Sequence, residues 1–229
     1  MKELVIAIDG PSGSGKSSVS EQIARHYQLA YLDTGAMYRA LTWYCLEENI
    51  DLNRLSAIIE AAQRFPLEQS TTVDEKFLKV DGVEVSEQIR SPRISESVSA
   101  VASIPEVRSL LVAQQRQIIE DCGRRIVVEG RDITTVVAPD AHARVLLTAS
   151  EEVRMVRRGI QLGGTQNQQQ LQKQVAERDA KDSQVNNFME AAEGVALVDS
   201  SELDFEQTIL AVRQAIEEQI QSNSALDLN

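Results

Sequence analysis

Short apolar runs alternate with stretches of helical period along this chain. Leu4 to Ile8 is an unbroken apolar run and predicts a strand buried on both faces. Gly10 to Gly15 is a turn rich in glycine and serine. Lys16 to Tyr27 then sets Val19, Ile23 and Tyr27 on one helical face. Gly35 to Glu48 predicts a second helix, with Met37, Leu41, Tyr44 and Cys45 in register. Ser103-Ile104-Pro105-Glu106 has the spacing of a capping box and opens a helix running to about Glu120. Ile126 to Val128 and Arg144 to Leu147 are further buried strands. Glu151 to Leu162 is a helix with acids in its first turn. Gln161 to Gln170, with two glycines and a glutamine cluster, reads as a loop. Val195 to Val198 is a late strand and Phe205 to Ile220 a final amphipathic helix; the polar tail from Gln221 is expected to fray. Alternating strands and helices imply an α/β fold, an open, mostly parallel sheet flanked by helices.

One stretch breaks the alternation. Leu67 to Val85 has a period of two, with Phe77, Leu78, Val80, Val83 and Val85 as its apolar members and Asp81-Gly82 as a turn signal. It predicts a small antiparallel insert of the kind that carries specificity on a rigid scaffold. Trp43, Tyr44 and Phe65 read as core rather than as a base-stacking platform.

Composition narrows the class. The chain has 229 residues, one large domain or one domain with an insertion. No apolar run is long enough for a membrane helix, and a secretory leader is not expected because Asp9 breaks the first apolar run. Two cysteines, Cys45 and Cys122, make no disulfide framework, so a reducing, cytoplasmic setting is expected. The net charge of −12 argues against nucleic acid or an anionic membrane as partner. Yet 17 of the 23 basic residues are arginine, 12 of them between Arg90 and Arg178. An acidic protein with arginines gathered mid-chain suits a small anion, because the guanidinium fork meets phosphate oxygens two at a time; solvated helix faces account for part of them. His26 and His142 do not suggest catalysis, and no spacing suggests zinc. The acidic surface favours a monomer.

The chemistry rests on Gly10-Pro11-Ser12-Gly13-Ser14-Gly15-Lys16-Ser17, an ungapped G-x-x-x-x-G-K-[ST] between a strand and a helix. Such a loop converges backbone N–H groups on phosphate at a helix N-terminus. Lys16 supplies a point charge for the β- and γ-phosphates, and the Ser17 hydroxyl an oxygen ligand for Mg²⁺. Ser18 completes the nucleotide-binding stretch. This gives nucleotide binding, not a reaction. A GTPase should carry N-K-x-D, which is absent. An ATPase should carry a strand ending in Asp-Glu; Ile126 to Glu129 is an imperfect match. A kinase for a small acceptor needs arginines and a lid, and Arg154, Arg157, Arg158 and Arg178 flank the Gly163-Gly164 loop. A nucleotide-sensing regulator without an acceptor is the reading from another class.

The phosphate loop, Leu32-Asp33-Thr34-Gly35-Ala36-Met37-Tyr38-Arg39, Glu129-Gly130-Arg131-Asp132 and Arg178-Asp179-x-x-Asp182, in that order, resemble the bacterial cytidylate kinases. The resemblance covers about Val5 to Asp182. It implies a nucleoside-monophosphate-kinase fold with an acceptor insert and a lid, and transfer of the γ-phosphoryl of ATP to CMP or dCMP with Mg²⁺. The expected divisions are a core over 1–63, an acceptor insert over 64–102, core again over 103–156, a lid over 157–182 and a C-terminal core strand and helix over 183–229.

Carried over by resemblance, Lys16, Arg131, Arg158 and Arg178 are the catalytic residues and Arg157 joins the ATP site. Thr34, Arg39, Ser99, Arg108, Arg131, Asp132, Arg178 and Asp182 hold the acceptor. The local chemistry agrees at several positions. Thr34 opens a helix, where N–H groups and a hydroxyl meet an anion, although Asp33 or Thr34 also suits a cap. Asp132 can accept from the cytosine amino group, a donor uracil lacks. Arg131 could instead pair with Asp132 or Glu129, and Arg108 could make a surface ion pair. Two departures from many relatives stand out: Glu129 where they have Asp, and Val185 where they have Arg, which bears on the choice between CMP and dCMP.

Overall fold

The computed structural model describes residues 2–161 and 189–226. Contacts divide the chain into two compact units, Met1–Leu32 with Cys122–Asn229, and Asp33–Asp121. The first is built on a sheet of five strands in the order β2-β6-β1-β7-β8. These are β1 (Leu4–Asp9), β2 (Ala30–Asp33), β6 (Arg125–Gly130), β7 (Ala143–Thr148) and β8 (Ala196–Asp199). The β1–β6, β1–β7 and β7–β8 pairs are parallel. Val5 to Ile8 are fully buried, as the unbroken apolar run of β1 requires at the centre of a parallel sheet. Helix α1 (Lys16–Tyr27) buries Val19, Ile23 and Ala24. The Tyr27 hydroxyl reaches Glu217 on the last helix, α7 (Phe205–Leu226). That helix packs on β7 and continues beyond Gln221, where fraying was expected. Within it, Gln214 bonds Glu218 one turn on and the Ser222 hydroxyl donates to the Glu218 carbonyl.

The second unit holds α2 (Thr34–Glu47), α3 (Leu55–Gln63), the predicted insert, α4 (Pro92–Ala102) and α5 (Pro105–Asp121). Met37, Leu41 and Cys45 of α2 are fully buried. The insert is an antiparallel sheet of β3 (Leu67–Gln69), β4 (Leu78–Val80) and β5 (Val83–Glu84). Asp81 and Gly82 have φ of 50° and 74°, the two left-handed residues of a type I′ hairpin. Leu78, Val80 and Val85 are buried, whereas Phe77 and Val83 are exposed, with Lys79 Nζ over the Phe77 ring. The capping box at Ser103 does not form. Ser103 closes α4, its hydroxyl donating to the Ala100 carbonyl, and α5 begins at Pro105, so Ile104 takes the N-cap position and Ser103 stands one place too early for the predicted cap. Pro105 supplies the preset φ of a first helical residue in its stead.

Candidate active site

The phosphate loop leaves the C-terminal end of β1, the edge where parallel sheets hold ligands. Gly15 is the N-cap of α1 with no side-chain capping bond, so the N-terminal N–H groups of α1 are not met by a cap side chain. Gly13 has φ of 79°, and a Cβ there would lie 2.5 Å from the Arg154 carbonyl oxygen. Glycine is required by both conformation and close approach. The Ser14 hydroxyl is buried and bonds to nothing among the described residues.

Beside the loop is a buried polar cluster at the end of β6. Glu129, 1% exposed, accepts a hydrogen bond from the Tyr31 hydroxyl at 2.9 Å through Oε1. Its Oε2 stands 3.6 Å from Lys16 Nζ. The loop lysine is thus anchored by a carboxylate that the sheet itself orients. Asp9, the last residue of β1, accepts from the Ile133 and Thr134 amides at 2.8 and 2.9 Å and from the Thr134 hydroxyl at 2.6 Å. Burial pushes its carboxyl above the usual range, with Asp132 adding to the push, while the Thr134 and Ile133 donors pull it back. These bonds tie the π-helical turn Ile133–Val137 to β1. That turn follows Arg131 and Asp132 directly, so Asp9 sets the start of the segment that presents them. Asp132 is buried and Arg131 half-buried.

On α6 (Glu151–Gln161), Arg157 donates to the Ser14 carbonyl, the Ser200 hydroxyl and carbonyl, and the Leu203 carbonyl, at 2.9–3.3 Å. Arg154 donates to the Ala149 and Ser12 carbonyls. In the other unit, Thr34 is the first residue of α2 and is buried; Asp33, not Thr34, is its N-cap, accepting from the Ala36 amide at 3.0 Å. Arg39 on α2 donates to the Ile89 carbonyl and to Ser95 Oγ. Ser99 on α4 and Arg108 on α5 are half-buried.

The family model described as cytidylate kinase matches residues 6–218. The chain belongs to the cytidylate kinase family. Among curated proteins, the cytidylate kinase of Cutibacterium acnes is 49% identical over 91% of this chain and 94% of its own length. That of Nocardia farcinica is 44% identical over 97% of each. A third, from Caldanaerobacter subterraneus, is 42% identical over 92% of this chain and 93% of its own. Among solved structures, an uncharacterized protein from Eubacterium ventriosum aligns over 95% of this chain and 99% of its own with a TM-score of 0.52 at 11% identity, a likeness of fold. As a member of the family the chain is a kinase with a P-loop fold.

For a cytidylate kinase, the sequence points to most of these positions but not to their supports. The structure gathers Gly10 to Ser18, Lys16, Arg131, Asp132 and Arg157 in one unit, and Thr34, Arg39, Ser99 and Arg108 in the other. Arg158 is half-buried on α6. Arg178, Asp182 and Val185, the expected loop after Gln161 and most of the expected lid lie outside the described residues; Gln161 itself ends α6. Nothing in the local pattern marks Tyr31, Asp9, Thr134, Ser95 or Ser200, since each bonds to a partner distant in sequence. Glu129 carried one signal, a carboxylate at a strand end beside the Arg131-Asp132 pair.

Proposed function

We propose that this kinase transfers the γ-phosphoryl group of ATP to CMP or dCMP, giving ADP and CDP or dCDP. A phosphate oxygen of the acceptor attacks the γ-phosphorus as the bond to the β–γ bridging oxygen breaks, without a covalent enzyme intermediate. Gly10 to Ser18 wrap the triphosphate, Lys16 meets the β- and γ-phosphates, and Arg131, Arg158 and Arg178 offset the equatorial charge. Arg39, Thr34, Ser99, Arg108 and Asp182 hold the acceptor, with Asp132 reading the cytosine amino group. The observation that carries the reading is the junction of two strand ends. The phosphate loop leaves β1 while Glu129, reaching back to Lys16, leads directly into Arg131-Asp132 at the end of β6.

The donor set fits Mg²⁺ arriving on the nucleotide. Ser17 offers a hydroxyl in the first turn of α1, and among the described residues no group of three acidic, cysteine or histidine side chains forms a cage. Mg²⁺ held chiefly by phosphates and waters needs no more than that, and when bound it neutralises phosphate charge. Both cysteines, Cys45 and Cys122, are free. No helix among the described residues is long and apolar enough to cross a membrane.

The test is ADP formation from Mg·ATP with CMP, dCMP, UMP, AMP, GMP and no acceptor. Strong turnover with CMP or dCMP and little with UMP is expected. Asp132→Ala should narrow the CMP/UMP ratio of kcat/KM by roughly 5- to 100-fold, the worth of one buried hydrogen-bond partner. Preference for another monophosphate would discard the base assignment, and acceptor-independent hydrolysis would discard the acceptor site.

A further inference from the structure

Two arginines one turn apart on α6 grip the outer side of the phosphate loop. Arg154 is 5% exposed; its Nη1 donates to the Ser12 carbonyl at 3.1 Å and its Nε to the Ala149 carbonyl at 3.2 Å. Arg157 Nη1 donates to the Ser14 carbonyl at 3.2 Å. The rest of its guanidinium is held by Ser200 Oγ at 2.9 Å and by the Ser200 and Leu203 carbonyls at 3.0 and 3.3 Å. Ser200 is itself fixed, fully buried and donating through both N–H and hydroxyl to the Thr148 carbonyl. The frame runs from the ends of β7 and β8 through the arginines into the loop.

The bonded carbonyls are those of alternate loop residues, Ser12 and Ser14. A trans peptide is planar, with its C=O and N–H pointing in opposite directions. Holding the Ser12 carbonyl toward α6 therefore aims the Gly13 N–H away from α6. Holding the Ser14 carbonyl aims the Gly15 N–H likewise. Neither N–H donates to any group among the described residues. The cationic donor also polarises each peptide, which strengthens its N–H as a donor. The close seating of Gly13 on the Arg154 backbone, 2.5 Å from carbonyl oxygen to an added Cβ, leaves the loop little room to turn over.

We infer that Arg154 and Arg157 are positioning residues for phosphate binding: each fixes one loop carbonyl so that the N–H of Gly13 or Gly15 is presented to a polyphosphate. Arg157 thereby acts from behind the loop, not as a ligand of the nucleotide. The inference rests on the reading of Gly10 to Ser17 as the triphosphate site.

The experiment measures binding of inorganic tripolyphosphate, and separately of CMP, by calorimetry on the full chain and on Arg154→Met and Arg157→Met. Amide shifts are read by NMR for the same proteins. Each variant should bind tripolyphosphate about tenfold more weakly, the order expected for losing the support of one charge-assisted bond, while binding CMP as before. The KM for ATP should rise with it. The Gly13 amide should move in Arg154→Met and the Gly15 amide in Arg157→Met, a selectivity that loss of packing alone does not give. Arg154→Lys and Arg157→Lys keep a cationic donor and should fall between wild type and Met; they carry the test if a Met variant does not fold. Folded variants with wild-type tripolyphosphate affinity, or with equal loss for tripolyphosphate and CMP, overturn the inference. Wild-type protein that does not bind tripolyphosphate overturns instead the reading of the loop.

Discussion

At the scale of the residue, the Lys16–Glu129 pair has two faces. Lys16 reads from sequence as a phosphate ligand, yet in the fold it also stands 3.6 Å from a carboxylate that is 1% exposed. Removing it leaves a buried charge short of a partner. Lys16→Ala should therefore lower turnover by orders of magnitude and also lower unfolding free energy by roughly 1–3 kcal/mol. Adding Glu129→Gln should restore part of the stability and none of the turnover, which denaturant unfolding and an ADP assay separate. Stability losses that simply add would show the two side chains uncoupled. The identity of Lys16 was legible because its spacing from Gly10 and Gly15 is a local pattern. Tyr31, donating to Glu129 from 98 positions away, was not.

At the scale of the element, glycines that look alike in sequence differ by what surrounds them. Gly13 and Gly82 have φ of 79° and 74°. An added Cβ at Gly82 meets nothing within 4 Å, whereas at Gly13 it strikes the α6 backbone. Gly82→Ala should cost about 1–2 kcal/mol in stability, the strain of a left-handed residue in a hairpin turn, and spare turnover. Gly13→Ala should displace the loop and abolish ATP binding. Thermal unfolding and nucleotide titration of the two variants check this; equal effects on ATP affinity would refute it. The hairpin was predictable because Asp-Gly and a period of two are local signals. So were the runs of β1, α1 and α2. The expected elements leave out helices α3 and α4 and strand β2, although Ile94, Val98 and Val101 of α4 are buried at the helical spacing i, i+4, i+7. The capping box misled because Ser103 meets the end of α4 first.

At the scale of the whole molecule, burial makes stability depend on pH. Burial lifts the fully buried Cys45 thiol from 9.0 to about 11. Between those values the folded chain holds a proton that the unfolded chain has lost. Stability from this group is complete below about pH 9 and is lost as pH rises toward 11. Chemical unfolding across that window should show a decline that is shallower in Cys45→Ala, even though the variant is less stable at pH 7 through its cavity. Parallel curves would exclude Cys45 as the cause.

The sequence by itself determined the class of fold and the phosphate loop, because period, glycine spacing and strand-to-helix junctions are written within a few residues. Tertiary structure alone decided the neighbours. Strand order β2-β6-β1-β7-β8 sets Glu129 beside Lys16, brings Thr134 to Asp9, and lets Arg157 link Ser14 to Ser200. Each such bond joins residues that share no local pattern. It arises when buried apolar strands choose partners, and the polar groups at their ends must then satisfy one another away from water.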